Sequence, residues 1–191
     1  MIKSLYPIFQ RWSSTGSVYI ISDTHFNDAD CKIMNPNWIT PQEHIKIIKA
    51  KVMKNDTLIC LGDCGDASYF DELKCYKVLI TGNHDVLSKV ASHFDEVYTG
   101  PLFIADRILL SHEPIETLPG YIVNIHGHVH NGVGIKINND NAFTYLNLAS
   151  DVVNFAVFNL GEFIKQGGLS NIENYHRLTI DRATENEEER K

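Results

Sequence analysis

The chain has 191 residues, of which 43% are hydrophobic and 21% charged, with a net charge of −7 and a pI of about 5.7. This length suits one domain with a sizeable core and leaves too little chain for two full domains. The acidic balance argues against a broad basic surface for nucleic-acid backbones, although bound divalent cations would reverse the charge locally.

The first half of the chain predicts alternating strands and helices. Predicted strands cover 18–22, 57–61 and 76–80, and predicted helices cover 41–54, 68–74 and 86–93. The first helix has Pro41 in its opening turn, and Ile45, Ile48 and Val52 recur at helical spacing. Strands that alternate with helices indicate a sheet covered by helices.

The second half predicts mostly short strands with turns between them. These strands cover 102–105, 107–111, 121–126, 133–137, 143–148 and 153–158, and Asn138-Asn139-Asp140-Asn141 predicts a hairpin turn. The whole pattern indicates an α/β fold in which two mixed sheets pack together and helices flank them. We assign 18–165 to this domain, 1–17 to an N-terminal extension and 166–191 to a C-terminal extension with an acidic tail. For the N-terminal extension, an ordered appendage and a partly disordered linker are both open.

The cysteines and the hydropathy of the chain indicate the cellular compartment in which the protein is expected. The chain has four cysteines without C-x-x-C spacing: Cys31, Cys60, Cys64 and Cys75. With no secretory leader, they are expected to be reduced thiols of a cytoplasmic protein. Packing is the favoured role of Cys64, with a redox or ligand role left open. No apolar stretch reaches the ~18 residues that a membrane span needs, so we expect no membrane partner.

Five polar islands each follow an apolar run rich in β-branched residues. They are Asp23-Thr24-His25, Gly62-Asp63-Cys64-Gly65-Asp66, Gly82-Asn83-His84-Asp85, Ser111-His112-Glu113 and His126-Gly127-His128-Val129-His130. Each apolar run reads as a buried strand, so the islands fall at strand ends, where a rigid sheet can direct several side chains to one point. Imidazole nitrogens together with carboxylate and amide oxygens are ligands of Zn, Mn and Fe. The islands therefore predict a metal centre.

The ordered set of islands resembles the calcineurin-like metallophosphoesterase superfamily, and more closely its small prokaryotic and phage phosphoesterases. The motifs are D-x-H, G-D-x-x-D, G-N-H-D, a lone His and G-H-x-H, and they extend from Asp23 to His130. The resemblance implies a four-layer α/β/β/α sandwich with a two-metal site at one edge of the sheets. It also implies hydrolysis of phosphoesters, either diesters or monoesters.

The resemblance implies a role for each motif residue. The ligands of one metal would be Asp23, His25, Asp63 and His130, and those of the other would be Asn83, His112 and His128, with Asp63 shared by both. His84 would act as the catalytic acid or transition-state stabiliser, and Asp66 would orient it. A metal-activated hydroxide would be the nucleophile. Mn is the favoured metal, although the donor set also accepts Fe, Zn, Co or Ni.

Elementary chemistry is consistent with these roles. A carboxylate has two oxygens, so Asp63 can join two cations ~3.5–4 Å apart. Alternate residues of an extended chain share a face, which predicts that Asp23 and His25 point together. The same rule predicts that His128 and His130 point together while Val129 points into the core.

Other polar residues near the islands have plainer interpretations. We expect Asp85 to cap the helix that begins near 86. For His126, a role behind the ligands, a contact with substrate and simple packing in the core are equally open. We expect His44, His93 and His176 to be structural or exposed. His112 is identified only by its place after a strand and by the order of the motifs.

One departure from the family bears on the substrate. The protein serine/threonine phosphatases of the superfamily carry a phosphate-binding Arg directly after the second Asp of G-D-x-x-D, where this chain has Ala67. This argues against a phosphoprotein substrate and leaves the phosphate anchor to other loop residues, the candidates being Asn27, Asn35, Asn37, Trp38 and Arg107. Segment 26–40 is a candidate wall of the substrate cleft, with an ordinary surface loop as the alternative.

The leading hypothesis is a metal-dependent phosphodiesterase or phosphatase that acts on a small phosphorylated molecule or a nucleotide. A nuclease for short single strands ranks lower because the chain is acidic. The main rival is a non-catalytic protein-binding scaffold on the same fold, but such a scaffold would be expected to lack ligands or the catalytic histidine. Another dimetal hydrolase chemistry, such as attack on a carbonyl, is ranked low by the resemblance alone.

Overall fold

In a computed structural model, residues 2–116, 118, 122–130, 134–137 and 144–169 are described. Their strands are β1 Lys3–Ser4, β2 Val18–Ile21, β3 Thr57–Cys60, β4 Tyr76–Ile80, β5 Glu96–Tyr98, β6 Leu102–Ala105, β7 Ile108–Leu110, β8 Val123–His126, β9 Ile135–Ile137, β10 Thr144–Asn147 and β11 Phe158–Asn159. The α-helices are α1 Tyr6–Trp12, α2 Cys31–Met34, α3 Pro41–Lys49, α4 Leu87–Val90 and α5 Leu160–Lys165, with 3₁₀ helices at Ala67–Glu72 and Ala91–His93.

The strands form two sheets. The first sheet has the order β11-β2-β3-β4-β5, in which β2 to β5 run parallel and β11 runs antiparallel to β2. The second sheet has the order β1-β6-β7-β8-β10-β9, in which β7, β8 and β10 run parallel to one another. These two mixed sheets with flanking helices confirm the predicted α/β fold.

The main core lies between the sheets, and alternation along each strand builds it. In β3, Ile59 points to the inter-sheet core, while Leu58 and Cys60 point to the opposite face. Residues of the inter-sheet core include Ile20, Val78, Ile80, Ile104, Leu110, Val123 and Ile125. On the opposite face of the first sheet, Ile45 and Ile48 of α3 pack with Phe70 of the 3₁₀ helix. Among the described residues, no helix has the length and apolar character needed to cross a membrane.

Several predicted element bounds differ from the structure. The helix expected over 41–54 ends at Lys49, and the helix expected over 68–74 is a 3₁₀ helix at Ala67–Glu72. The helix expected over 86–93 is α-helical at Leu87–Val90 and continues as a 3₁₀ helix at Ala91–His93. The strand expected over 153–158 begins only at Phe158, as β11, because Asn154 and Phe155 have left-handed backbone angles that do not fit a strand. The expected hairpin turn at 138–141 lies outside the described residues, although β9 and β10, on either side of it, pair antiparallel.

The N-terminal segment is ordered, which decides between the two alternatives left open by its sequence. β1 pairs with β6 at the edge of the second sheet, and α1 follows directly. Leu5 and Trp12 are both buried in the inter-sheet core. The segment therefore contributes to the core of the fold.

The two sheets approach each other closely where β2 and β8 end. Ser22 forms an isolated parallel bridge with Ala149, which follows β10, and the Asp23 carboxylate accepts hydrogen bonds from the backbone N–H of His128. Gly127 lies in this contact. A Cβ added at Gly127 would lie 1.9 Å from Ser22 Oγ and 2.0 Å from Asp23 Oδ2.

We therefore expect Gly127→Ala to lower the free energy of unfolding by about 1–3 kcal/mol, because the added methyl group overlaps the adjoining strand end. Chemical denaturation with chelator present measures this value. The matched control is Gly100→Ala, because a Cβ there meets no heavy atom of the described residues within 4 Å, and it should stay within about 0.5 kcal/mol of wild type. Equal stability of the two variants would contradict the close approach.

Candidate metal centre

The structure brings all seven predicted metal ligands to one edge of the sandwich. Asp23 and His25 follow β2, Asp63 follows β3 and Asn83 follows β4, so the first sheet supplies four of them. The second sheet supplies the other three, which are His112 after β7 and His128 and His130 after β8. Because the strands within each group run parallel, their carboxyl ends meet at the same edge.

The first cluster consists of Asp23, His25 and His130, whose ligand atoms all lie within 4.8 Å of one another. The Nε2 atom of His130 is 3.6 Å from Asp23 Oδ1. The Nε2 atom of His25 is 3.8 Å from Asp63 Oδ2, so this cluster opens towards Asp63.

The second cluster consists of Asp63, His112 and His128, with ligand atoms within the same 4.8 Å limit. Asn83 adds a neutral oxygen, since its Oδ1 is 2.8 Å from His112 Nε2 and 3.1 Å from His128 Nδ1. The same Oδ2 of Asp63 that faces His25 is 3.3 Å from His112 Nε2. The Asp63 carboxylate therefore lies between the two clusters.

Two observations indicate that these donors fit divalent cations. The Nε2 atom of His25 is buried and has no hydrogen-bond partner among the described residues, which is costly for a polar atom unless another group binds it. In addition, Asp23, His25, Asp63 and His128 have left-handed φ angles of 52°, 42°, 51° and 66°. Such strained angles concentrate at functional sites. The mixture of nitrogen and oxygen donors suits transition metals.

These angles also correct the sequence-based account of how the side chains converge. Asp23 and His25 do not lie on an extended chain, so their convergence comes from left-handed turns. His128 and His130 belong to different clusters. Val129 is 38% exposed, so the prediction that it points into the core is wrong.

The electrostatics of the site favour cation binding. Burial alone would lower the pKa of His112, but its hydrogen bond to Asp63 and the nearby Asp23 and Asp63 carboxylates outweigh burial and raise it. The hydrogen bond to Asp151 raises the pKa of His130. Burial raises the pKa of Asp23. The raised imidazole pKa values reflect an excess of negative charge that a metal ion would neutralise.

His84 lies beside the first cluster. Its ring is exposed and is 5.9 Å from the ring of His25, and its backbone N–H donates to Asp63 Oδ1 at 2.9 Å. Asp66 accepts hydrogen bonds from Ser68 and from Asn27. Within the described chain, no hydrogen bond joins Asp66 to His84, so its predicted orienting role stays a prediction.

Asp85 has a different role from the one expected. The α4 helix starts at Leu87 without a side-chain cap, so the expectation that Asp85 caps this helix is wrong. Its carboxylate instead accepts hydrogen bonds from the backbone N–H groups of Asp63, Cys64 and Gly82, each at 2.9 Å. Asp85 thus joins the turns after β3 and β4, which carry Asp63 and Asn83.

Asp151 was missed by the sequence reasoning. Its Oδ1 is 2.8 Å from His130 Nδ1, and its side chain is 1% exposed. A signal was present, because Asp151 comes shortly after the predicted strand 143–148, in a small-Ser-Asp sequence that resembles Ser22-Asp23 at the end of the predicted strand 18–22.

Several other predicted residues lie outside the clusters. His126 is buried, donates from Nδ1 to the Gly127 carbonyl and packs edge-on against Tyr145. His44 is buried between the rings of Phe26 and Phe155, and burial lowers its pKa to about 4.

The cysteine thiols are free and buried, as expected for packing. The Sγ atoms of Cys60 and Cys64 are 3.6 Å apart, and burial raises the pKa of Cys64.

Two cavities flank the clusters. A cavity of about 150 Å³ beside His25 is lined largely by segment 26–40, including Asn27, Lys32 and Trp38. A second cavity of about 290 Å³ lies beside Asn83 and His112.

Among the candidate phosphate anchors, Asn27 and Trp38 lie near the site. Asn35 accepts a hydrogen bond from the backbone of Asn37. Arg107 does not fit, because it precedes β7 at the end opposite His112, and its guanidinium donates to the Leu169 carbonyl.

Comparison with known proteins agrees with this architecture. Among solved structures, the chain is similar to a protein of unknown function from Aquifex aeolicus, with 23% identity, 78% of this chain and 98% of that chain covered, and a TM-score of 0.61. Weaker similarities are to a nuclease from Pseudomonas putida (19% identity, 65% of each chain, TM-score 0.42) and to a predicted phosphoesterase from Streptococcus pneumoniae (14% identity, 70% and 71%, TM-score 0.35).

No curated protein sequence matches the chain. The sequence model for calcineurin-like phosphoesterases, in contrast, matches residues 16–189. This match covers most of the chain and includes all five polar islands. The chain therefore belongs to the calcineurin-like phosphoesterase family, and it is a metal-dependent phosphoesterase.

Proposed function

We propose that this phosphoesterase uses two metal ions to hydrolyse a small phosphorylated molecule or a nucleotide. The observation that carries the proposal is the position of Asp63 Oδ2, which lies 3.8 Å from His25 Nε2 in one cluster and 3.3 Å from His112 Nε2 in the other. One buried carboxylate that faces two sets of donors is the arrangement that a pair of neighbouring cations requires.

The ligand sets follow from the two clusters. The first ion would be held by Asp23, His25, Asp63 and His130, and the second by Asp63, Asn83, His112 and His128. Mn is the favoured metal, and Fe, Zn, Co and Ni suit the same donors. Divalent ions bound there supply a water molecule of lowered pKa and neutralise charge on the phosphoryl oxygens.

The protein's own contribution to bond cleavage centres on His84. The Asp63 carboxylate accepts a hydrogen bond from the His84 backbone, and the exposed ring lies next to His25. From this position the ring could donate a proton to the leaving alkoxide, the role of a general acid in ester cleavage. We assign the orienting role to Asp66, which Ser68 and Asn27 hold in place.

The cavities and the charge favour a small substrate. The two cavities beside the clusters measure about 150 and 290 Å³, at or below the lower end of the ~300–1,000 Å³ range of small-molecule sites. The net charge of −7 disfavours binding along a nucleic-acid backbone. The protein-binding scaffold considered as a rival gains no support, because none of the seven donors is replaced and all of them converge.

The chemistry is tested with bis-(p-nitrophenyl) phosphate and Mn²⁺, with and without chelator. We expect metal-dependent turnover of this diester. With a diester whose leaving group is an alkoxide, such as a dinucleotide, we expect His84→Ala to reduce kcat by about 10²- to 10⁴-fold because the alkoxide loses its proton donor. The loss should be smaller with bis-(p-nitrophenyl) phosphate, because p-nitrophenolate leaves readily without a proton. The number of metal ions bound per chain should be the same in His84→Ala as in wild type. The matched control is His93→Ala, since His93 pairs with Asp71 away from the site. Turnover that survives complete chelation would contradict the proposal.

The number of metal ions provides a separate test. Elemental analysis of the loaded protein should find two ions per chain. Asp63→Asn should reduce this number to one or fewer, because a neutral amide oxygen lacks the negative charge with which the carboxylate Oδ2 can hold two neighbouring cations. Asp71→Asn is the control for loss of one acidic group outside the site. Retention of two tightly bound ions by Asp63→Asn would rule out a shared carboxylate.

A further inference from the structure

Asp151 approaches His130 from outside the donor clusters. Its carboxylate Oδ1 is 2.8 Å from His130 Nδ1, while the other ring nitrogen, Nε2, is 3.6 Å from Asp23 Oδ1. The imidazole ring of His130 therefore lies between two carboxylates, one at each nitrogen. The Asp151 side chain is 1% exposed, so water competes little for this contact.

The chemistry of the pair dictates where the imidazole proton lies. A neutral imidazole carries one proton, on either Nδ1 or Nε2, whereas a carboxylate can only accept. Asp151 therefore keeps the proton of His130 on Nδ1 and leaves the Nε2 lone pair directed towards Asp23. A carboxylate in this position also makes the opposite nitrogen a better metal ligand.

The backbone around Asp151 is fixed to the strand that carries Asp23. Ala149 forms the bridge to Ser22, and the Ser150 hydroxyl donates to the Ser22 carbonyl at 2.6 Å. On the other side, the indole of Trp38 lies 5.9 Å from the His130 ring. The position of the carboxylate is therefore set by the sheet itself and not by a free loop.

The other candidate ligand histidines are oriented differently. His112 donates from Nδ1 to the Leu61 carbonyl, and His128 directs Nδ1 towards Asn83. His25 Nδ1 faces Asp28 at 3.3 Å, but the Asp28 side chain is 36% exposed. Among these four, His130 alone has a nearly fully buried carboxylate at its outer nitrogen in the described structure.

We propose that Asp151 is a positioning residue that holds His130 in the Nδ1-protonated tautomer and thereby presents Nε2 to the first metal ion. The proposal rests on the proposed function in one respect, the assignment of His130 as a ligand. The Asp151–His130 contact itself can be tested without metal, so the positioning role of Asp151 and the proposed function can fail separately.

The first experiment measures the tautomer in the metal-free protein. Long-range ¹H–¹⁵N NMR, at a pH high enough for the His130 ring to be neutral, should show a protonated Nδ1 and an unprotonated Nε2 in wild type. Asp151→Leu should lose this preference because the acceptor is gone. Asp151→Ala, which also removes the acceptor, provides a second variant should the leucine chain fold poorly. An unchanged tautomer in both variants would overturn the proposal.

The second experiment measures metal affinity by electron paramagnetic resonance of free Mn²⁺ during titration. We expect Asp151→Asn to weaken the site that contains His130 by about 10- to 100-fold, the usual effect of removing such an outer partner. The matched control is Asp56→Asn, since Asp56 is also buried but accepts from the backbone of Ser17 and Met53. It should bind Mn²⁺ as wild type does.

A double-mutant cycle separates positioning from direct coordination. If Asp151 acts only through His130, adding Asp151→Asn to a His130→Ala background should cause no further loss of Mn²⁺ affinity. A further loss of tenfold or more would show that Asp151 acts independently of the ring, and the proposal would be wrong. If wild type binds neither Mn²⁺ nor Fe, Zn, Co or Ni ions, the proposed function fails, while the NMR result still decides the Asp151–His130 contact.

Discussion

The arrangement of this site depends on one buried carboxylate. Asp63 is 2% exposed, and its Oδ2 faces a histidine of each cluster while its Oδ1 accepts the backbone N–H of His84. A buried charge is costly unless it is paired or hydrogen-bonded. Two factors therefore keep the donors on both sides close to Asp63. The strands position them, and their contacts with the buried carboxylate reduce the cost of its burial.

Backbone hydrogen bonds keep this carboxylate in place. Asp85 accepts three N–H groups from the turns after β3 and β4, which ties the Asp63 turn to the Asn83 turn. Left-handed angles at residues other than glycine cost of order 1–3 kcal/mol each, and four of the candidate ligands have them. The surrounding sheets and these hydrogen bonds hold the turns in this conformation and offset the strain.

Sequence reasoning succeeded where the information is local. Strand ends are marked by an apolar run followed by polar residues, so the donor islands and the α/β fold were predictable. It failed where partners are distant in sequence: Asp85 bonds to backbone 21 and 22 residues away, and Asp151 contacts a histidine 21 residues away. It also assumed extended backbone around Val129, whereas the left-handed angle at His128 turns that side chain outwards. Local patterns do not encode such turns, since tertiary contacts impose them.

The donors are divided between the two sheets, and this division has a consequence for folding. Ions bound at this edge would link strand ends of the two sheets. Without them, these strand ends are joined by the Ser22–Ala149 bridge and by the hydrogen bonds from the His128 backbone to Asp23. Free energy of metal binding would then add directly to the free energy of unfolding. In such a molecule, loss of the metal ions would lower resistance to heat and proteolysis as well as turnover.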